Sequence, residues 1–351
     1  MEEERPTQFP RNLPFQVGNV FKLHYEFPTS LVISDDGQKI LYENNEKLVY
    51  VDSDSGRTIR NFDLFTKFIG LLDLNRTNDK ALVGSADHQA KIIDLETGNC
   101  LHQLNGHLHF VYIGGFNPQS TIAATGCQNM KIKIWDVLSG KLTLDFEKHQ
   151  QTPTSFSFNA EGDKILSSSY ENDALIWDPK DGQIICKLQK HTKGIEVCKF
   201  AQSGYLCATG AHDNDANVWD IRNPGNPLFN LQGHTNFIKD LAFNKQGTQI
   251  VTGSNDNTGR IYNLIDGSFV AELQDFPGQV YTISFNETGD RIIGASNQKT
   301  VQIFDNQGVC LQQISQEGNF YINRTGNTFV TLPKAIESQG KIWRDARAIK
   351  N

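Results

Sequence analysis

The six cysteines, Cys100, Cys127, Cys186, Cys198, Cys207 and Cys310, include no Cys-x-x-Cys pair and match no zinc-site spacing. They are expected to act as small buried hydrophobes in a reducing compartment. No run approaches the ~18 apolar residues of a spanning helix. The first residues, Met1-Glu-Glu-Glu-Arg-Pro6, are acidic where a secretory signal would be basic and then apolar. A cytoplasmic protein with no membrane partner is therefore expected, and the acceptor patterns at Asn75-Arg-Thr77, Asn286-Glu-Thr288 and Asn323-Arg-Thr325 are expected to go unused. Positive charge is not in excess either: 33 Lys and Arg stand against 40 Asp and Glu, a net charge of -7. Nucleic acid is not an expected partner, because phosphate binding needs a concentrated basic face.

Chemistry-bearing motifs are also missing. There is no Gly-x4-Gly-Lys-Ser/Thr loop, no Gly-x-Ser-x-Gly elbow and no His-Glu-x-x-His helix, so neither an enzyme nor a cofactor site is expected. His102, His107 and His109 have metal-like spacing, but no carboxylate or thiol completes a site around them. Asp213 and Asp215 resemble paired acids, yet they fall where a hairpin turn is expected. Proline is scarce, and no Gly/Ser-rich or low-complexity stretch interrupts the chain.

What the chain does have is a period. Hydrophobic runs close at Asp52, Asp94, Asp136, Asp178, Asp220, Asn263, Asp305 and Asp345, with successive spacings of 42, 42, 42, 42, 43, 42 and 40 residues. Within the clearest unit, Ile195-Glu-Val-Cys-Lys-Phe200 alternates apolar and polar residues, and Ser203-Gly204 supplies a turn. Three further strand-like runs then end at Thr209, Asp220 and Leu231. A period near 40 to 45 residues with Gly-His and Trp-Asp steps marks propeller blades.

These steps resemble the WD-repeat β-propeller family over nearly the whole chain. The resemblance implies an all-β fold with a single ring of eight four-stranded blades, seven being the alternative. Residues 13–345 would form the propeller, between polar tails at 1–12 and 346–351. The last unit has no room for a fourth strand, so Asn19-Val-Phe-Lys-Leu-His-Tyr25 is expected to close the ring and hide its open edge.

The same family implies a buried hydrogen-bond chain in each blade, here His191, Thr209, Asp213 and Trp219. Degraded versions are His107, Thr125, Asn129 and Trp135; His149, Ser167, Glu171 and Trp177; and His234, Thr252, Asp256 and Tyr262. Although Ser-His-Asp catalysis uses such residues, a set that recurs once per blade is expected to be structural. Partner binding is expected on the face that carries the loops before each first strand, through Phe68, Leu108, Phe110, Tyr170 and Phe237.

Two narrower resemblances bear on function. Trp219-Asp-Ile-Arg222 resembles the docking box of substrate receptors for cullin-based ubiquitin ligases, with Arg222 as the docking residue. Arg60-Asn-Phe-Asp-Leu-Phe65, Phe116-Asn-Pro-Gln-Ser-Thr121, Phe158-Asn-Ala-Glu-Gly-Asp-Lys-Ile165, Arg260-Ile-Tyr-Asn263 and Ile342-Trp343-Arg344 resemble the ciliary WD-repeat adaptor that helps deliver outer-arm axonemal dyneins, although that adaptor's helical N-terminal extension is missing. That second likeness implies a non-enzymatic scaffold of the cilium or axoneme. Its partners would be axonemal dynein, ciliary transport or microtubule-associated components.

Overall fold

The computed structural model describes residues 15–22, 31–44, 47–298, 300–315, 319–322, 327–332 and 339–345. The expected tails at 1–12 and 346–351, and Asn323-Arg-Thr325, lie outside them. Eight antiparallel four-stranded sheets follow one another along the chain. Seven are sequential meanders spanning 31–62, 69–104, 111–147, 153–189, 195–231, 238–273 and 280–315. The eighth takes three strands from residues 319–345 and its outer strand, Phe15–Lys22, from the start of the chain. This is the eight-bladed propeller that the period predicts.

Local chemistry explains why each unit folds as a meander. The closing Asp or Asn of a repeat caps the turn after the third strand: Asp94 Oδ1 accepts from Thr97 N at 2.6 Å, Asp136 Oδ1 from Ser139 N at 2.7 Å and Asn263 Oδ1 from Ile265 N at 3.0 Å. Such side-chain turns favour Asp and Asn because a short acceptor can reach the backbone two or three residues ahead. At the same end of the blade, in the hairpin between the first and second strands, Asn244 Oδ1 accepts from the amides of Thr248 and Gln249 at 2.8 and 3.0 Å. Gly247 inside that turn has φ +68°, a conformation that costs glycine nothing.

Packing between blades then closes the ring. Ile33, Ile40, Tyr42, Val49 and Val51 of the first blade share a core with Val330 and Ile342 of the eighth. On its other side, Phe329 and Trp343 pack with Ile293, Ala295, Val301 and Ile303 of the seventh. Two consecutive residues fasten the closure in opposite directions. Arg344 reaches Ser53 Oγ and Asp54 Oδ1, both at 2.5 Å, whereas Asp345 accepts from Arg291 Nη1 at 3.2 Å and Asn286 Nδ2 at 3.3 Å.

The closing strand pairs in register from Phe15 opposite Asp345 to Lys22 opposite Gln339, with an irregularity between Val17 and Val20. It thus begins four residues before the expected Asn19, and Leu23, His24 and Tyr25 lie outside the described residues. Cysteine burial also departs from expectation. Cys127, Cys198 and Cys207 are buried, but Cys186 is half-buried and Cys100 and Cys310 are exposed. All three of the latter lie on outer strands, whose far face meets solvent rather than a neighbouring sheet.

Candidate functional site

The four residues His191, Thr209, Asp213 and Trp219 come together inside the fifth blade. His191 Nδ1 lies 3.0 Å from Asp213 Oδ1, His191 Nε2 lies 2.8 Å from Thr209 Oγ1, and Trp219 Nε1 donates to that hydroxyl at 3.0 Å. The His191 side chain is fully buried, and Thr209 is too. A nucleophile sealed in this way meets no substrate, and a satisfied buried network rigidifies the blade instead. Asp213→Ala is expected to cost about 1–3 kcal/mol, because it leaves the imidazole without its acceptor. Chemical denaturation would measure it.

The other versions differ in instructive ways. His149 keeps the full set, with Glu171 Oε1 at 3.2 Å, Ser167 Oγ at 2.7 Å and Trp177 Nε1 donating to Ser167 at 3.1 Å. In the third blade a thiol intervenes: His107 Nδ1 lies 3.0 Å from Cys127 Sγ, which in turn contacts Asn129 Oδ1 at 2.6 Å. His107 Nε2 and Trp135 Nε1 both meet Thr125 Oγ1, at 2.7 and 2.8 Å. Burial, then the Lys133 charge, lowers the His107 pKa to about 4, while burial pushes the Cys127 thiol up. Both groups are therefore neutral, the reverse of a reactive thiolate–imidazolium pair. His234 meets Asp256 Oδ2 and Thr252 Oγ1, each at 2.8 Å, but Tyr262 leaves that chain and donates to the Gln232 carbonyl at 3.0 Å.

The acids of these networks make stability depend on pH. Burial alone would raise the Asp256 and Asp213 pKa values. Hydrogen bonds and charge from His234 or His191, and a backbone amide in each case, hold both carboxyls below the usual range. A depressed native pKa stabilises the fold above the unfolded value and loses that contribution as pH falls through the folded one. The melting-temperature gap between wild type and Asp256→Asn should be full above pH ~4 and narrow below it.

These loops also build a surface. Phe68 is 40% exposed, Leu108 66% and Tyr170 46%, on the second, third and fourth blades. Phe110 and Phe237, expected to be exposed with them, are half-buried. The Phe110 ring lies over Gly70, where any Cβ would stand 2.1 Å from its tip, and it contacts Phe68 edge-on at 5.5 Å. Phe237 packs on His212 at 4.4 Å, and His212 meets Tyr170 at 5.9 Å. His212 and Tyr112 thus belong to this row, although neither stands out in the sequence.

The remaining candidates separate. His102 Nε2 contacts the Leu138 carbonyl at 3.0 Å on an outer strand, and His109 lies against His88 at 6.1 Å, so the three histidines do not converge. The Asp215 carboxylate accepts from Gln232 Nε2 at 3.2 Å, while its backbone amide donates to Asp213 Oδ1 at 3.3 Å, so the two acids do not act as a pair. Arg222 sits on the opposite face, in the turn after the third strand. Its Nε and Nη2 donate to Asp220 at 2.8 and 2.6 Å, and its guanidinium lies 3.9 Å from the Tyr205 ring centre.

Comparison with known proteins places this architecture. The family described as the IFT122 first beta-propeller matches residues 72–325. No curated protein sequence matches significantly. The crystal structure of the computationally designed Ika8 protein superposes with a TM-score of 0.80 at 21% identity, covering 94% of this chain and 99% of that one. At that identity the likeness is one of fold alone, and a fold does not carry a function.

Proposed function

This chain belongs to the IFT122 first β-propeller family, and from that premise we propose that it is a non-enzymatic protein-interaction scaffold of the ciliary transport machinery. The partner docks on the loop face. The observation that carries this reading is the run of exposed Phe68, Leu108 and Tyr170 over three adjacent blades, since contiguous apolar surface on a soluble fold marks interaction sites. Axonemal dyneins and their assembly or transport components are the partners we favour, on the segment resemblances given above.

Leu108 and Tyr170 are the side chains to test, because Phe110 also supports the fold through Gly70. Leu108→Asp and Tyr170→Ala should each weaken capture of dynein or ciliary transport proteins from ciliated cells by about tenfold or more, with melting unchanged. Arg222→Ala should leave capture intact. Loss of partners with Arg222→Ala alone, together with recovery of ubiquitin-ligase subunits by the wild type, would overturn the proposal in favour of a substrate receptor.

A further inference from the structure

A cavity of about 690 Å³ opens on the loop face between the third and fourth blades. His109, Tyr112 and Tyr170 give it three ring walls, and the polar groups between them are spent within the fold. The Tyr112 hydroxyl donates to the Pro153 carbonyl of the next blade. Thr154 Oγ1 donates to the Ile195 carbonyl at 2.6 Å and Thr152 Oγ1 to the Gln128 carbonyl at 3.5 Å. Glu196, the one acid in the lining, is held at Oε2 by His212, 3.1 Å away, and at Oε1 by Lys239. A visitor finds these acceptors already engaged.

Charge selects no ion either. Lys148, Lys190 and Lys193 are exposed on the loops leading into the fourth and fifth blades, whereas Glu171 and Asp213 of the same two blades turn toward His149 and His191. Both signs are present and neither commands the cavity. What is left is ring surface and two groups able to donate. These are the Tyr170 hydroxyl and the Gln128 side-chain amide, both exposed and, among the described residues, bonded to nothing. The Tyr170 ring is braced by His212 at 5.9 Å, which packs on Phe237 at 4.4 Å, so this wall is set before any ligand arrives.

Such walls suit one kind of backbone. An ordinary extended segment carries an N–H on every residue and would turn some of them onto rings and engaged acceptors. Proline has no N–H. In the polyproline II conformation its ring packs on aromatic faces, and its carbonyls, unbonded within the segment, can accept from Tyr170 and Gln128. The conformation is also preformed, and aromatic-lined grooves exploit that to bind with little ordering of the chain. We propose that this cavity receives an uncharged, proline-rich segment of the protein that docks on the loop face. The inference rests on the docking reading above and adds to it the chemistry of the segment.

The probe is acetyl-hexaproline amide and the control is acetyl-Gly-Leu-Gly-Leu-Gly-Leu amide, each titrated into the full chain with saturation-transfer NMR as the readout. The proline peptide should bind saturably and the control at least about fivefold more weakly. Raising the salt from about 50 to about 500 mM should change the Kd of the proline peptide by less than about twofold, because no ion pair is made. Tyr170→Ala should weaken it about tenfold, while Tyr170→Phe, which keeps the ring and loses the donor, and Gln128→Ala should each weaken it about threefold. Equal binding of the control, binding lost at high salt, or binding that Tyr170→Ala leaves untouched would overturn the proposal. If Leu108→Asp abolishes partner capture but the proline peptide does not bind at about 5 mM, the cavity assignment fails and the docking face stands. If the peptide binds and Tyr170→Ala removes it while capture survives Leu108→Asp, the cavity keeps its ligand and the docking face must be moved.

Discussion

Removal of residues 1–22 is expected to make the protein aggregate and melt well below the full chain. The deletion strips the outer strand from the eighth blade and leaves the Gln339–Asp345 strand with an unpaired edge. An uncovered edge is a template for intermolecular pairing. Each ladder hydrogen bond contributes ~1 kcal/mol net, so losing a strand that pairs from Phe15 to Lys22 costs several kcal/mol before any apolar contact is counted. Sedimentation velocity and a thermal melt would measure both effects. Unchanged solubility and melting would mean that the ring is held by Arg344, Asp345 and the two shared cores without the strand.

Trp219→Ala should cause the largest loss of any single substitution in the fifth blade, about 3–5 kcal/mol. Its indole is fully buried, in a cluster with Leu166 and Ile176 of the fourth blade. Truncation opens a cavity at a blade interface and also removes the donor to Thr209. Trp219→Phe separates the two effects: most of the volume remains, while the hydroxyl loses its indole partner at a cost of about 1 kcal/mol. Urea unfolding of the pair would show the difference. A loss below 1 kcal/mol for the alanine variant would mean that the cluster collapses around the gap.

Blade number and the origin of the closing strand were legible because both depend on the period, and the period reflects a constraint repeated in every unit. The closing Asp or Asn recurs because the third strands of the first seven blades end in the same capped turn, as Asp94, Asp136 and Asp220 show, whereas Asp345 ties the eighth blade to the seventh. The limits of the closing strand were less legible, since an outer strand with one solvent face carries a weak apolar pattern. Two departures from the repeat lie in the sequence itself. Phe65 and Phe276 stand 42 residues before His107 and 42 after His234, in the histidine's place. Both are buried in apolar clusters, and a Cβ at Gly294, the threonine's counterpart, would stand 2.6 Å from the Phe276 ring. The second and seventh blades thus replace the polar chain with packing, which is neutral when both partners change together. The Cys127 bridge and the bracing of Tyr170 by His212 were not legible at all, because each depends on a distance between loops that no spacing encodes.

The pairing of Phe15 with Asp345 has a practical consequence for handling the molecule. The two ends of the described chain leave side by side, at the edge of the ring opposite the loops that carry Phe68, Leu108 and Tyr170. An attachment made where the chain enters at Phe15 or leaves at Asp345 therefore stands on the side away from the aromatic row. The same proximity allows Phe15 and Asp345 to be joined by a short linker and the chain reopened elsewhere. The turn at Gly225, where an added Cβ would meet nothing within 4 Å, is a natural cut. A permuted ring opened there would carry its linkers on the far side, leaving the loop face clear.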